Sequence, residues 1–151
     1  MMEAFWNNDA DKAGRIVSEL LWKTISYNDY HEDYPAVKAD TSDFRGRNPC
    51  ARFYHAFLAG AFVGIGYEVE SNKEKGLGRP DILLKDDDNR RAIIIEAKKS
   101  DKEADLDKDL DEAFDQFFTE KYAEGLYGYE QILCYGIAFF QKQARVKILI
   151  K

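Results

Sequence analysis

The sequence is poor in cysteine. Its 151 residues include two, Cys50 and Cys134, which do not form a Cys-x-x-Cys pair. A thiolate metal site needs a cluster of cysteines at short spacing, so this class of site is excluded. We interpret both residues as reduced thiols of an intracellular protein.

The sequence also lacks long apolar runs. The N-terminal stretch MMEAFWNNDADKAGR has no basic segment followed by an apolar one, so it does not resemble a secretory signal. No stretch approaches the ~18 apolar residues of a membrane span. The Gly-x-x-x-x-Gly-Lys-[Ser/Thr] motif of a phosphate-binding ATPase loop is absent as well. These absences predict a soluble, cytoplasmic protein that has no membrane partner.

Positive charge is scarce too. The chain has 22 Lys and Arg against 28 Asp and Glu, a formal net charge of −6. This balance disfavours a protein that holds nucleic acid through a bulk positive field. A local basic patch or a bound metal could still supply positive charge where it is needed. The apolar fraction, 45%, is sufficient for a core, and the length suits one domain over residues 1–151.

Hydrophobic patterning divides the chain into helices and strands. Residues 28–49 contain two of the three prolines and no sustained period, so we interpret them as a loop or an insertion. They separate an N-terminal helix within 1–27 from a core at 50–151. The whole order predicts an α/β fold with a mixed central sheet flanked by helices. The predicted helices are 9–26, 50–65 and 103–123, and the predicted strands are 67–71, 81–86, 91–99, 131–140 and 144–150.

The most apolar strand ends in charged residues. Residues 93–95 are all isoleucine, which predicts a strand covered on both faces, and Glu96-Ala97-Lys98 follows directly. Because side chains alternate along a strand, Glu96 and Lys98 point to one face, about 6–7 Å apart. A tight turn before the isoleucines predicts an antiparallel hairpin, which places Asp81 opposite the end of the strand that carries Glu96.

Two carboxylates and an amine at one sheet edge suit a hard divalent cation. Mg²⁺ and Mn²⁺ take oxygen ligands, often one or two carboxylates with water and substrate phosphate. We therefore predict Asp81, Glu96 and the backbone carbonyl of Ala97 as metal ligands. Lys98 would position or deprotonate a water, or stabilise charge developing on a phosphate. The spacing leaves one alternative open, a solvated strand end with a salt bridge.

The pattern resembles a known signature. Asp81 followed by Glu96-Ala97-Lys98, with Pro80 before the aspartate, is similar to the D…(D/E)-x-K signature of the PD-(D/E)XK nuclease superfamily. The resemblance implies a restriction-endonuclease-like αβββαβ core and a divalent metal. It assigns Asp81 and Glu96 to the metal and Lys98 to the attacking water, so all three are catalytic candidates.

Two longer stretches make the resemblance more specific within the superfamily. SNKEKGLGRPDILLKDDDNRRAIIIEAKKS and QILCYGIAFFQKQARVKIL resemble the nuclease-like domain found at the C-terminus of many bacterial AAA-ATPase-like proteins. The resemblance implies an ATPase domain in relatives as a partner of this one.

The chain departs from that family pattern at its second helix. Many superfamily members carry an acid on the helix before the first core strand, whereas residues 50–65 contain neither Asp nor Glu. This departure puts two-metal chemistry in doubt. His55, Glu32 or Glu70 could substitute for the acid, which makes Glu70 a further candidate metal ligand.

Other polar residues are candidates for the same site. In the family pattern a polar residue on the later helix faces the site, and Gln116 fits this catalytic position. Arg79 and Lys99 are candidates for binding substrate phosphates. His55 is a candidate for substrate binding, although a packed or capping histidine fits its helix better.

Two functions follow from these residues. The first is Mg²⁺- or Mn²⁺-dependent hydrolysis of phosphodiester bonds in nucleic acid, DNA rather than RNA. The second is a module that keeps the fold without cutting and binds nucleic acid or a protein partner, for example as a homodimer. The negative net charge and the missing helix acid favour the second, whereas the residues at the strand end favour the first.

Overall fold

The computed structural model describes residues 1–26, 49–71, 80–120 and 126–148, without the side chains of residues 49–52, 116 and 118–120. The predicted loop or insertion at 28–49 therefore lies outside the described residues, except for Pro49, which begins a helix. Within the described ranges, no helix is both long enough and apolar enough to cross a bilayer.

The described chain consists of helices α1 to α4 and strands β1 to β5. From α2 onward, their order confirms the predicted succession of helices and strands. The helices are α1 (Met2–Trp6), α2 (Ala10–Thr24), α3 (Pro49–Gly64) and α4 (Leu106–Glu120), with a 3-10 turn, Glu103–Asp105, before α4. The strands are β1 (Glu68–Ser71), β2 (Ile82–Asp86), β3 (Arg91–Lys99), β4 (Gln131–Phe140) and β5 (Gln143–Ile148).

The strands form one mixed sheet in the order β1-β2-β3-β4-β5. All neighbours are antiparallel except β3 and β4, which are parallel and are connected through α4. A parallel pair needs such a crossover because the chain must return to the end at which it started. The predicted mixed sheet with flanking helices is confirmed, and β3 occupies its centre.

Each face of the sheet packs against its own helices. Ile93 and Ile95 belong to a core with residues of α1, α2 and α3, which we call the α3 face. Ile94 points to the opposite side, the α4 face, where it packs with Phe117. All three isoleucines are at most 1% exposed, as expected of a strand covered on both faces.

Helix α1 has no counterpart among the predicted elements. Its Phe5 is fully buried, with edge-to-face ring contacts to Phe62 and Tyr135. The Tyr135 hydroxyl also donates to the carbonyl of Phe5. A helix of five residues is too short to show a period, so its existence depends on these contacts across the core.

Helix α2 lies along β5, the last strand of the sheet. Asp9 caps its start, accepting a hydrogen bond from Lys12 N–H at 3.0 Å. A Cβ on Gly14 would lie 3.3 Å from the carbonyl oxygen of Ala144, so glycine permits the close approach. One turn later, Ser18 Oγ accepts from Ala144 N–H at 2.9 Å and contacts Ala144 O at 3.3 Å.

The two ends of the sheet differ in composition. The turn end comprises residues 86–91 of the β2–β3 hairpin together with Trp6 and residues 128–130. The site end comprises Asp81, residues 96–98 and His55. The register from Ile82↔Ile95 to Asp86↔Arg91 fixes how far apart these two ends lie along the hairpin.

Candidate active site

The pairing of β2 with β3 brings Asp81 beside Glu96. Ile82 is the partner of Ile95, so the next position along each strand places Asp81 opposite Glu96. A direct contact supplements the register, because Ala97 N–H donates to Asp81 Oδ2 at 2.9 Å. Asp81 precedes β2, whereas the sequence predicted that it would begin that strand. Asp81 therefore lies just beyond the last residue pair of the β2–β3 hairpin.

Glu96 lies beneath α4. It is 1% exposed, and its partner on β4 is Gly136. A Cβ on Gly136 would lie 3.3 Å from Leu110 and 3.4 Å from Ala113, so α4 packs directly on the strand beside the glutamate. A buried carboxylate needs compensating partners, and burial of this kind is frequent at functional sites.

Lys98 follows Glu96 on the same face. It is the partner of Ala138 and is half-buried. Ala138 packs with Leu106 and Leu110 of α4, which places Lys98 at the start of that helix. The ordinary alternation of a strand therefore gives Glu96 and Lys98 a shared face at the site end.

The backbone of Ala97 points toward Asp81. Ser100 N–H donates to Phe139 O at 2.7 Å, so even-numbered residues at this end of β3 direct their backbone groups to β4. Odd-numbered residues direct theirs toward β2, and Ala97 N–H does so. Because the N–H and C=O of one strand residue point to the same side, the Ala97 carbonyl also faces the region just beyond β2.

Glu70 lies on the same face of the sheet but has a different partner. Its position opposite Leu83 places it two residues from Asp81 across the β1–β2 pair. Its carboxylate forms an ion pair with Lys85, which lies further toward the turn end. Glu70 is thus turned away from Asp81.

His55 reaches the site from the opposite layer. Its Nε2 lies 2.7 Å from the backbone carbonyl oxygen of Asp81. The neighbouring Tyr54 donates its hydroxyl to Gln141 O at 2.7 Å. Sequence reasoning placed His55 among the candidates but missed this contact with Asp81, which depends on where α3 packs.

The remaining candidates are dispersed. Lys99 alternates away from Lys98 toward the α3 face, and its ammonium lies 3.3 Å from Asp101. Gln116 is within α4, but its side chain is outside the described part of the chain. Arg79 and Glu32 are also outside the described residues.

The donor set at the site end is small. Among the described residues, no group of three or more His, Cys, Asp or Glu side chains is arranged to hold a metal ion. Asp81 and Glu96 supply two carboxylates, and Ala97 supplies a carbonyl. Mg²⁺ keeps several waters and commonly binds through one or two carboxylates, so this oxygen-only set fits a single hard cation.

The comparison with known families identifies the family of the chain. Residues 51–148, more than half of the chain, match the family described as the PD-(D/E)XK nuclease superfamily. No curated protein matches the chain. The matched range contains Asp81, Glu96 and Lys98, together with the five strands, α4 and all but the first two residues of α3. The mixed sheet is consistent with the restriction-endonuclease-like fold that the sequence predicted, and the chain belongs to the PD-(D/E)XK nuclease superfamily.

Proposed function

We propose that the protein is a divalent-metal-dependent nuclease that hydrolyses phosphodiester bonds of nucleic acid, with DNA as its substrate. Membership of a nuclease superfamily suggests nuclease activity. The contact that carries the proposal is the hydrogen bond from Ala97 N–H to Asp81 Oδ2, at 2.9 Å. It holds one carboxylate next to the strand position that carries Glu96.

Asp81, Glu96 and the Ala97 carbonyl would hold Mg²⁺ or Mn²⁺. All three are oxygen donors, which hard cations prefer. Glu70 is a weaker candidate because its carboxylate is paired with Lys85. When bound, the ion would lower the pKa of a coordinated water and offset negative charge on the phosphate.

The chain's own residues would then orient the reactants. Lys98 shares the face of Glu96, so its amine can hold the attacking water and donate to a phosphate oxygen. The water oxygen loses a proton to solvent and bonds to phosphorus as the bond from phosphorus to the leaving oxygen breaks, and the leaving oxygen takes up a proton from solvent. Asp81 contributes a fixed negative charge, since its carboxylate is held by a backbone amide.

Substrate would be bound by residues around this centre. We assign Arg79 to substrate phosphates and Gln116 to the site through the helix that follows β3, whereas Lys99 is the weaker phosphate candidate because it points to the α3 face. A net charge of −6 makes such local contacts necessary, because the protein as a whole repels a polyanion. In relatives with an ATPase domain, that domain would be the partner that delivers nucleic acid.

Cleavage of plasmid DNA, single-stranded DNA and RNA tests the proposal. Purified protein is incubated with Mg²⁺, Mn²⁺ or EDTA, alongside the variants Glu96→Gln and Lys98→Met. We expect metal-dependent cleavage of DNA that both variants abolish, while Glu130→Gln, at the turn end, retains it. Glu70→Gln distinguishes a metal site that includes Glu70 from one that does not. We expect this variant to change the cleavage rate little. Cleavage that persists in Glu96→Gln, or its absence from wild type on every substrate, would refute the enzymatic assignment.

A second function is favoured by one observation. Helix α3 has no Asp or Glu along its length, so the acid that many superfamily members place there is missing. The protein would then bind nucleic acid or a protein partner without cutting. Binding of DNA by wild type in the absence of any metal-dependent cleavage would support this second function.

A further inference from the structure

His55 makes an unusual contact for a residue on a core-packed helix. Its neighbours Tyr54 and Leu58 are buried against the sheet, whereas the half-buried His55 ring reaches the chain just before β2. The Nε2 atom lies 2.7 Å from the carbonyl oxygen of Asp81.

The chemistry of this contact determines which ring nitrogen of His55 carries a hydrogen. A carbonyl oxygen can only accept a hydrogen bond, so Nε2 must carry the hydrogen. In the neutral ring, Nδ1 is then the acceptor nitrogen. The ring therefore donates to Asp81 and cannot use Nε2 as a metal ligand at the same time.

We propose that His55 is a positioning residue that aligns Asp81 as a metal ligand; this role rests on the proposed function. Asp81 lies one residue outside β2, where the ladder with β3 no longer restrains it. Two contacts replace the ladder. His55 holds the main chain of Asp81, and Ala97 N–H holds its carboxylate.

The layer from which His55 approaches supports a positioning role. Helix α3 packs on the α3 face, whereas Glu96 points to the α4 face. A histidine on the far layer can reach the Asp81 backbone at the sheet end without entering the space between the carboxylates. The helix that lacks an acid would thus act on the site through the aspartate.

The first test determines which ring nitrogen of His55 carries the proton. The chain contains two histidines, so the variant His31→Gln leaves His55 as the single imidazole. Nitrogen-15 chemical shifts are recorded at a pH of about 8.5, where imidazole is ordinarily neutral. We expect the Nε2–H tautomer, and a ring protonated at Nδ1 would overturn the proposal.

The second test compares three variants by Mn²⁺ affinity, measured by electron paramagnetic resonance of the free ion. His55→Leu removes the donor, and we expect binding about 10-fold weaker or more, the usual effect of losing a group that orients a ligand. His55→Gln keeps an N–H donor and should recover most of the affinity. Tyr54→Phe is the matched control, because it removes the adjacent α3 anchor to Gln141 and leaves Asp81 untouched.

The outcomes separate positioning from general packing. Equal affinity of His55→Leu and wild type, or equal weakening by Tyr54→Phe, would overturn the proposal. Thermal unfolding of all three variants shows whether folding is retained.

A third readout does not depend on metal. Hydrogen exchange of the Ala97 amide reports its bond to Asp81. If wild type binds no Mn²⁺, the metal site of the proposed function fails. Faster exchange in His55→Leu would still support the alignment of Asp81 by His55, and unchanged exchange would refute it.

Discussion

The turn end and the site end of the hairpin each contain an aspartate, and the two are held differently. At the turn end, Asp86 accepts from Arg91 Nε at 2.6 Å and from both nitrogens of Asn89. The guanidinium carbon of Arg91 also lies 4.1 Å from the centre of the Trp6 ring. The Asp86 carboxylate is thus paired with the Arg91 guanidinium, which also packs on the Trp6 ring.

The surrounding contacts at the turn end are also internal. Arg90 pairs with Glu130 at 2.8 Å and donates to Gly128 O at 3.1 Å. Tyr129 donates to Asp87, and this hydrogen bond, with desolvation and nearby negative charges, raises the pKa of Tyr129 to about 12. The polar groups at the turn end thus pair with one another, which leaves few of them available to bind a ligand.

At the site end, Asp81 contacts a backbone amide and an imidazole ring instead. Its carboxylate accepts from the Ala97 amide, and its carbonyl meets the His55 ring. Within the described ranges, Asp81 forms no ion pair. The comparison teaches that similar aspartates at two ends of one hairpin can serve different purposes. The paired one stabilises the turn, and under the proposed function the other would bind a cation.

The largest effect should come from exchanging each aspartate for asparagine. Asp81→Asn keeps an oxygen that can accept from Ala97, so we expect little change in stability but cleavage slower by about 100-fold or more. Asp86→Asn should retain cleavage and lower the free energy of unfolding by about 1–2 kcal/mol. Cleavage rates and urea denaturation measure the two effects. A loss of cleavage in both variants would break the distinction between the ends.

The next effect compares two adjacent arginines at the turn end. Arg91→Met removes the partner of the largely buried Asp86 and the contact with Trp6, so we expect a loss of about 1–3 kcal/mol. Arg90→Met is the matched control, since its ion pair is exposed on both sides and should contribute less than ~1 kcal/mol. Urea denaturation at neutral pH measures both, and equal losses would contradict the assignment of stability to the Asp86–Arg91 pair.

The smallest expected effect is on the pH dependence of the unfolding free energy. Burial alone would raise the pKa of Asp86, but hydrogen bonds from Arg91 and Asn89, with the Arg91 charge, together lower it from its ordinary value of 3.8. Because the folded-state pKa is the lower one, the stabilisation is present above the unfolded-state pKa and is lost as the pH falls through the folded-state value. The difference in unfolding free energy between wild type and Asp86→Asn should therefore shrink below a pH of about 4. A difference that stays constant down to a pH of about 2.5 would exclude this linkage.

Much of the fold was predictable because it follows local rules. The isoleucines at 93–95 and the tight turn before them determine a hairpin, and a hairpin fixes its own register. The adjacency of Asp81 and Glu96 follows from that register alone. Alternation likewise separates Lys98 from Lys99, although both were first considered as phosphate contacts.

Features that depend on tertiary packing were not predictable. Helix α1 exists because Phe5 fits between two distant aromatic rings. The predicted helix start at 103 is a 3-10 turn, and α4 begins at Leu106. The contact of His55 with the Asp81 carbonyl requires α3 to be placed on the sheet, which no local pattern specifies.

The position of α2 along β5 has a consequence for the matched family range. An outermost strand presents backbone donors and acceptors that can pair with a strand of another molecule. Ser18 Oγ accepts from Ala144 N–H and donates to Gly14 O at 2.8 Å, and α2 covers the strand around Ala144. Residues 51–148 alone would lack this cover, so a fragment limited to the family range would expose a template for edge-to-edge aggregation. The N-terminal helices thus shield this sheet edge as well as extend the core.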